Sequence, residues 1–390
     1  MKYKIVALAI MSALSTDAYS AEGTNKEVLK ELKSQIQALQ NQIEKLEEKV
    51  TETDEKVELS VSAIEENMSQ ESNSGVSIGG YGELHYNNIE DEKDVDFHRF
   101  VLFFGHEFTE DVRFFSELEI EHALVGDAKP GKVELEQAYI EVDLGENSSI
   151  KSGVFLMPVG ILNETHEPPT FYGVERNPVE KDIIPATWWE AGAGLNTRLS
   201  KGVSADFAVH SGLNVPTEGS NAFTIRSGRQ MVASAKADSL AFTARIKYTA
   251  IPGLELAASY QIQEDVTQGL LSSDASLFTT HAIFNRGLFG FRALYAAWNI
   301  GGSEAKAIGR DTQEGYYIEP SVRLNDQFGL FVRYNAWDNS AGNSLATEKK
   351  QTNLGLNYWP HEDVVFKLDL ENRSGYHDGS GFNLGVGYQF

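Results

Sequence analysis

The sequence predicts an all-β fold, a 16-stranded antiparallel transmembrane β-barrel, preceded by an α-helical coiled coil. Three observations support this prediction. After the first fifteen residues, no stretch of the sequence is long and apolar enough to span a membrane as a helix. From Val76 onward, apolar and polar residues alternate with a period of two, and the connections between these segments are alternately short and long. The last segment, residues 381–390, ends in the aromatic Phe390.

The composition excludes several kinds of site and partner. Cysteine is absent, so disulfides, thiolate metal sites and cysteine nucleophiles are excluded. The chain carries 57 acidic and 33 basic residues, and its formal net charge is −24 at pH 7. Because this charge repels the phosphate backbone, we expect no nucleic-acid partner.

The first twenty residues have the pattern of a secretory signal peptide. Lys2 and Lys4 precede a short apolar run, and Ala18 and Ser20 follow at the spacing of a cleavage site. An amphipathic anchor helix is the alternative, but the run is short and has no polar face. We therefore expect cleavage after Ser20 and export to the periplasm or beyond.

Residues 21–75 predict a periplasmic coiled coil followed by a polar linker. Apolar residues recur every seven positions, and charged residues flank the seam they form. Branched residues at one heptad position and leucine at the other favour a dimer, although a trimeric barrel would override that preference. The two heptad positions are occupied by Leu29, Ile36, Ile43, Val50, Val57 and Ile64, and by Leu32, Leu39 and Leu46.

Residues 76–390 predict the barrel itself. A soluble β-sandwich would give the same alternation, but the signal peptide, the number of strands and the aromatic residues at both strand ends favour a barrel. Tyrosines fall at the long-loop ends of the strands (Tyr86, Tyr260, Tyr295, Tyr316 and Tyr334), and Tyr248, Tyr358 and Phe390 fall at the short-turn ends. The predicted strands are 76–87, 95–107, 111–122, 133–144, 149–157, 188–199, 202–211, 239–250, 254–264, 276–286, 288–299, 313–324, 328–337, 349–359, 363–372 and 381–390.

The polar face of these strands predicts a water-filled lumen with two walls of unlike charge. Such walls orient charged solutes crossing a narrow pore. The alternative is that each charge is merely solvated, or paired with a charge on a neighbouring strand. The acidic candidates are Glu117, Glu119, Glu121, Glu141 and Asp143, and the basic candidates are Arg245, Lys247, Arg292, Arg323 and Arg333.

Two long connections are candidates for narrowing this lumen. Residues 158–187 hold five of the ten prolines, which predicts a stiff, ordered, non-helical loop folded into the pore; an outward loop at a subunit interface is the alternative. Residues 213–238 place Arg226 and Arg229 three positions apart, a pair suited to carboxylate or phosphate but also to lipopolysaccharide or to bridges between loops. The lining candidates of the first loop are Glu167, Glu175, Arg176, Lys181 and Asp182.

The sequence gives little support for catalysis or for bound groups. It contains no G-x-S-x-G, no H-E-x-x-H and no glycine-rich phosphate loop. Its nine histidines are dispersed, without the spacing of a metal site. We therefore predict no enzymatic activity, no catalytic residues, no metal and no cofactor.

Several segments resemble the phosphate-selective porins O and P, and within that set the porins with an added periplasmic coiled coil. They are GGYGELHY (from Gly79), LEQAYIEVDL (from Leu135), GVFLMPVGILNETHEPPTFYGVERN (from Gly153), IIPATWWEAG (from Ile183), IPGLELAASYQ (from Ile251) and the terminal GVGYQF.

The resemblance implies a homotrimeric porin, embedded in the outer-membrane lipid of a Gram-negative bacterium, that passes small anionic or polar solutes. It also implies that Phe390 is read by the barrel-assembly machinery and that the basic candidates form a ladder along the pore. The excess of acids over bases in the barrel segment departs from the family pattern and argues against strict phosphate selectivity. Passive diffusion with a mild anion preference is the leading hypothesis; the alternative is a structural envelope protein that tethers the outer membrane through its coiled coil.

Overall fold

The fold is seen in a computed structural model that describes residues 75–90, 92–123 and 131–390, together with Ile36 and Gln37. The predicted signal peptide (1–20) lies outside the described residues, and so does the predicted coiled coil apart from Ile36, Gln37 and Gly75. Among the residues described, no helix has the length and apolarity that a membrane span requires.

Sixteen antiparallel strands form one closed barrel, because β1 pairs with β16 and every other strand pairs with its neighbours in sequence. This confirms the predicted 16-stranded barrel, and each strand end lies within three residues of its predicted position. The strands are β1 Val76–Ile89, β2 Glu92–Glu107, β3 Val112–Glu121, β4 Lys132–Asp143, β5 Ser148–Leu156, β6 Trp189–Ser200, β7 Val203–His210, β8 Ala241–Tyr248, β9 Leu254–Gln263, β10 Ala275–Arg286, β11 Phe289–Ile300, β12 Thr312–Arg323, β13 Phe328–Asp338, β14 Lys349–His361, β15 Val364–Gly375 and β16 Gly379–Gln389.

The outer face of the barrel is apolar and the inner face is polar, as alternation predicts. On β14, Leu354 is 52% exposed on the outside, whereas its neighbour Asn353 is 3% exposed on the inside. Aromatic rings gather at both ends of the outer face: Tyr316 and Tyr334 lie 6.2 Å apart near the long loops, and Phe328 and Tyr358 stack at 4.7 Å near the short turns. These rings mark the two membrane interfaces.

The seam of the barrel joins the last residue of the chain to the first strand. The backbones of Gly80 and Phe390 exchange two hydrogen bonds of 2.9 Å. On the outer face, the rings of Phe390 and Tyr388 lie over Gly80 and Gly82, where a Cβ atom would come within 3.0 and 2.9 Å of ring carbon atoms. The two glycines therefore provide the shallow surface that the terminal aromatics cover.

The main hydrophobic core lies inside the barrel rather than on its outer surface. The connection between β5 and β6 folds into the lumen, as predicted, and so does the connection between β7 and β8; we call them the inward loop (residues 157–188) and the arginine loop (residues 211–240). Both loops pack their apolar side chains against the inner wall. The prediction that the inward loop is wholly non-helical is wrong, because single helical turns form at Pro168–Thr170 and Val179–Ile183. The core includes Met157, Phe171, Ile183, Trp188, Leu213, Phe223, Ile225 and Trp298.

Candidate functional site

The inward loop is folded around one buried carboxylate. Glu180 is fully buried, and its Oε2 accepts hydrogen bonds from the backbone N–H groups of Ile161 at 2.7 Å and Leu162 at 2.6 Å. Its Oε1 accepts one from the Tyr317 hydroxyl on β12 at 2.8 Å. Glu180 therefore joins the two halves of the loop to each other and to the barrel wall.

Further contacts fix the loop around much of the lumen. Carbonyl groups of the loop accept hydrogen bonds from Trp298 on β11 at 2.9 Å and from Asn357 on β14 at 3.2 Å. On β16, the inward-facing Gly387 leaves room for Pro168, whose Cβ would lie 2.2 Å from a Cβ at that glycine. The loop also meets β1 and β2, where Glu175 lies 3.0 Å from His85 and the carbonyl of His166 accepts from Arg99 at 3.1 Å. Above these contacts, an open space remains beside β1–β4.

The arginine loop adds two guanidinium groups to that side. Its short 3-10 turn, Ile225–Gly228, directs Arg226 onto the carbonyl oxygens of Lys181 at 2.7 Å and Ala186 at 2.8 Å. Arg229 donates to the carbonyl of Thr187 at 2.5 Å. These hydrogen bonds join the two long loops through backbone carbonyls, as in the alternative in which the arginine pair bridges between loops.

These groups line a cavity of about 250 Å³, which we call the upper cavity. It opens toward the long-loop end into a wider space of about 460 Å³ that shares Glu175, Arg176 and Lys181 with it. The upper cavity is lined by Glu83, His85, His98, Glu121, His122, Lys132, Glu134, Val174, Glu175, Arg176, Lys181, Ala186, Thr187, Trp189, Arg226 and Arg229.

The acids of the upper cavity all have partners. Glu83 bonds to Arg99 at 2.6 Å, Glu175 bonds to His85 at 3.0 Å, and Lys132 bridges the two remaining acids. By contrast, four cations of the cavity have no carboxylate within 4.0 Å among the described residues: Arg176, Lys181, Arg226 and Arg229. The cavity therefore offers unneutralised positive charge to a solute.

The donors of the arginine loop are also incompletely used. In the described part of the chain, the buried Nε of Arg229 has no hydrogen-bond partner. Burial, followed by the neighbouring charges of Arg229 and Arg176, lowers the pKa of Arg226. A bound anion would satisfy the free donor and relieve this crowding of like charges.

A second, lower cavity of about 840 Å³ lies at the short-turn end. Three of the sequence candidates line it: Glu141 and Asp143, which both bind Arg113, at 3.1 and 2.6 Å, and Lys247. This mouth is mixed in charge and wide, so it places little restriction on what enters.

The predicted basic wall is corrected by the structure. Arg333 is 2% exposed and paired with Glu319 at 2.6 Å, and Arg245 is 7% exposed and paired with Asp206 and Glu164. Their charges are neutralised locally, and Arg245 lines a separate cavity of about 220 Å³ together with its two acidic partners. Instead, the unneutralised positive charge of the upper cavity comes from the two loops.

The remaining candidates also have structural partners. Arg292 donates to the carbonyl of Thr170 at 2.8 Å, and Arg323 lies 4.1 Å over the ring of Trp359. Asp182 accepts from the Trp337 indole at 3.0 Å, and Glu167 is half-buried in the inward loop. The acidic candidates Glu117 and Glu119 face inward but are 1% and 0% exposed, so they do not line open water.

Sequence reasoning missed several residues that complete the upper cavity. Lys132 and Glu134 also face inward, although alternation from Glu141 and Asp143 predicts the outer face for them. One extra residue in β4, Glu136, has no partner on β3 and reverses the alternation between these positions. The three histidines His85, His98 and His122 come from three strands; the rings of the first two stack at 4.8 Å and the rings of the last two meet edge to face at 5.7 Å. Their grouping depends on strand register, which the sequence does not reveal.

Comparisons with known proteins agree with this architecture. The family model described as phosphate-selective porin O and P matches residues 76–377. An uncharacterized protein of Aquifex aeolicus is 32% identical over 337 residues, which cover 76% of this chain and 75% of the relative.

Two solved structures share the fold. The anion-selective porin of Comamonas acidovorans superposes with a TM-score of 0.60 at 13% identity, covering 82% of this chain and 100% of that one. The outer membrane channel DcaP of Acinetobacter baumannii superposes with a TM-score of 0.56 at 11% identity, covering 82% and 99%. At these identities the likeness establishes a common barrel architecture.

Proposed function

The chain belongs to the family of phosphate-selective porins O and P, and from this premise we propose that its outer-membrane channel passes small solutes by diffusion with a mild preference for anions such as phosphate or carboxylates. The transport is passive and involves no chemical step. The solved relative from Comamonas acidovorans is described as anion-selective, and this description supports the direction of the preference here.

One observation carries the proposal. Among the described residues, the four cations of the upper cavity that have no carboxylate partner (Arg176, Lys181, Arg226 and Arg229) face a passage whose acids are already bound to other groups. An anion entering the cavity meets guanidinium groups that no carboxylate neutralises among the described residues. A cation meets carboxylates that are already bound to basic side chains of the protein. The preference is mild because the acids, although paired, remain within reach of a passing ion.

The test is the reversal potential of the purified full-length channel in a planar lipid bilayer under a gradient of potassium chloride. We expect the sign that corresponds to chloride passing more readily than potassium, and we expect added phosphate to reduce the chloride current. Raising the salt to 1 M shortens the screening length from about 10 Å to about 3 Å and should weaken the preference. A reversal potential of the cation-selective sign would contradict the proposal.

We also propose that three chains assemble, with the N-terminal segment in the periplasm. An outer-membrane protein of Vibrio cholerae that shares the fold, at 9% identity and a TM-score of 0.55, was solved in a trimer form. The predicted coiled coil supplies a self-associating segment, and β1 begins at the short-turn end of the barrel, which faces the periplasm in proteins of this type. Light scattering of the detergent-solubilised protein should give the protein mass of three chains; the mass of one chain would contradict this assembly.

The same proposal assigns a role to the terminal aromatic residue. Phe390 closes the barrel seam, and we propose that the barrel-assembly machinery recognises it before the seam forms.

A further inference from the structure

A β-bulge in β4 turns an extra acidic side chain into the lumen. Glu117 pairs with Gln137 and Leu118 pairs with Leu135, so Glu136 between them has no partner on β3. Leu135 faces outward and is 48% exposed, whereas Glu136 is 1% exposed. Bulges re-aim side chains in this way and are frequent beside functional sites.

The bulge brings Glu136 to Glu117 and Glu119 of β3 and to His166 of the inward loop, and we call these four residues the Glu–His cluster. All four are at least 97% buried. Both carboxylate oxygens of Glu119, Oε2 of Glu136 and Nε2 of His166 have no hydrogen-bond partner in the described part of the chain. Buried polar atoms are normally satisfied by a donor, an acceptor or a metal ion, so these atoms together form a candidate ligand set.

The spacing of the side-chain atoms fits coordination better than hydrogen bonding. Nε2 of His166 lies 3.5 Å from Oε1 of Glu117 and 3.7 Å from Oε2 of Glu136. One ligand atom from each of these three residues lies within 4.8 Å of the other two, and Glu119 is their buried neighbour. Two ligands bound to one ion at about 2.1 Å in tetrahedral geometry lie about 3.4 Å apart. The imidazole therefore stands at the distance of a second ligand rather than that of a hydrogen-bond donor.

The negative charge of the three glutamates in the cluster also favours binding of a cation. The nearby guanidinium of Arg99 is already paired with Glu83 at 2.6 Å, and it also donates to the carbonyl of His166 at 3.1 Å and to the Tyr81 hydroxyl at 3.3 Å. Arg176 donates to the Thr187 hydroxyl. Gln137 donates to Glu117 at 2.7 Å, but a neutral amide leaves the charge in place. Buried carboxylates without such a counter-charge are costly.

We propose that the Glu–His cluster binds one divalent transition-metal ion such as Zn²⁺ or Mn²⁺. Carboxylate oxygens with one imidazole nitrogen form a donor set for these ions. Ca²⁺ fits less well, because it takes six to eight oxygen ligands and usually includes water among them, whereas this site is buried.

The position of the ion gives it a structural role. Along β3, Arg113 lines the lower cavity and Glu121 lines the upper cavity, so Glu117 and Glu119 lie between the two. An ion held there by His166 and the wall acids joins the inward loop to β3 and β4, on the side opposite its hydrogen bonds to β11–β14.

A second cluster in the barrel provides a matched control. Asp96, His98 and His122 also bring three ligand atoms together, but Asp96 accepts hydrogen bonds from both imidazoles at 3.1 and 2.9 Å and the three side chains are partly exposed. Their hydrogen bonding is satisfied without a metal.

The experiment measures metal content of the purified full-length protein. The wild type, the double variant E119Q/E136Q, the variant H166N and the control H98N are stripped with a chelator, exposed to Zn²⁺ or Mn²⁺, dialysed and analysed by elemental mass spectrometry. Heat-dependent mobility on a denaturing gel checks that each barrel is folded. The glutamine and asparagine substitutions keep side-chain size, and a metal-dependent rise in the thermal midpoint provides a second readout.

We expect the wild type and H98N to retain about one ion per chain and to gain thermal stability from it, and we expect E119Q/E136Q and H166N to lose at least about tenfold in affinity for the ion. Folded wild-type protein that retains no ion would overturn the proposal. Equal retention by the wild type and by both cluster variants would also overturn it, because the ion would then lie elsewhere. Neither result depends on the selectivity of the channel.

Discussion

Replacing Arg226 and Arg229 together by glutamine is expected to lower the anion-to-cation permeability ratio about tenfold. Both guanidiniums line the upper cavity, and neither is neutralised by a carboxylate among the described residues. A unit charge about 4 Å from a passing ion contributes about 1 kcal/mol even in water, which corresponds to about a fivefold change in local ion concentration. Two such charges, partly screened by salt, therefore change the ratio about tenfold. The reversal potential in a planar bilayer under a salt gradient measures the ratio.

Two companion variants separate charge from structure. R226K/R229K keeps both charges but loses the fixed geometry of the guanidinium groups, so the permeability ratio should stay near that of the wild type. R286Q removes a guanidinium at the end of β10, away from the cavity linings, and should leave the ratio unchanged. If R226Q/R229Q retains the wild-type ratio, the arginine loop does not set the preference.

Replacing Glu180 by alanine is expected to increase cleavage of the inward loop by trypsin about a hundredfold. The substitution leaves the buried N–H groups of Ile161 and Leu162 without their acceptor, at a cost of about 1–3 kcal/mol each. A combined loss of about 3 kcal/mol raises the open population of the loop by about two orders of magnitude. Arg176 and Lys181 in the same loop are the trypsin sites, and limited digestion of the folded barrel measures the rate.

Y317F is the graded control for this experiment, because it removes a single hydrogen bond to Glu180. It should cost about 1 kcal/mol and increase cleavage about fivefold. The single-channel conductance of E180A should also rise and fluctuate, since Lys181 and Arg176 lose their fixed positions. Equal cleavage of E180A and the wild type would mean that other contacts hold the loop.

The barrel was predictable because each strand carries its own signal. Alternation such as that of Leu354 with Asn353 places one residue toward lipid and the next toward the lumen, and this reading needs no knowledge of the neighbouring strands. The prolines of the inward loop gave a similar local signal. Two short helical turns in that loop were missed; the turn at Val179–Ile183 contains the buried Glu180, whose bond to Tyr317 on the wall is not visible in the sequence.

The residues of the site were predictable only where their role does not depend on a partner from another strand. Arg226 and Arg229 were recognised from their spacing and charge. The sequence also proposed Arg333 for the pore, but Glu319 on the adjacent strand neutralises it, and such pairing depends on register. Glu136 was missed for a related reason: strict alternation from Glu141 and Asp143 places Glu136 on the outer face, and only the bulge brings it to the inner face.

The closure of the barrel by Phe390 affects how the protein is made. A ribosome finishes β1 long before it reaches β16, and until then the N–H and C=O groups along one edge of β1 lack their partner strand. Hydrocarbon cannot hydrogen-bond to such an edge. The growing chain therefore cannot enter the bilayer strand by strand unless another protein pairs with that edge in the meantime. A chain cut short before β16 would leave the edge open permanently, so insertion has to wait for the end of translation.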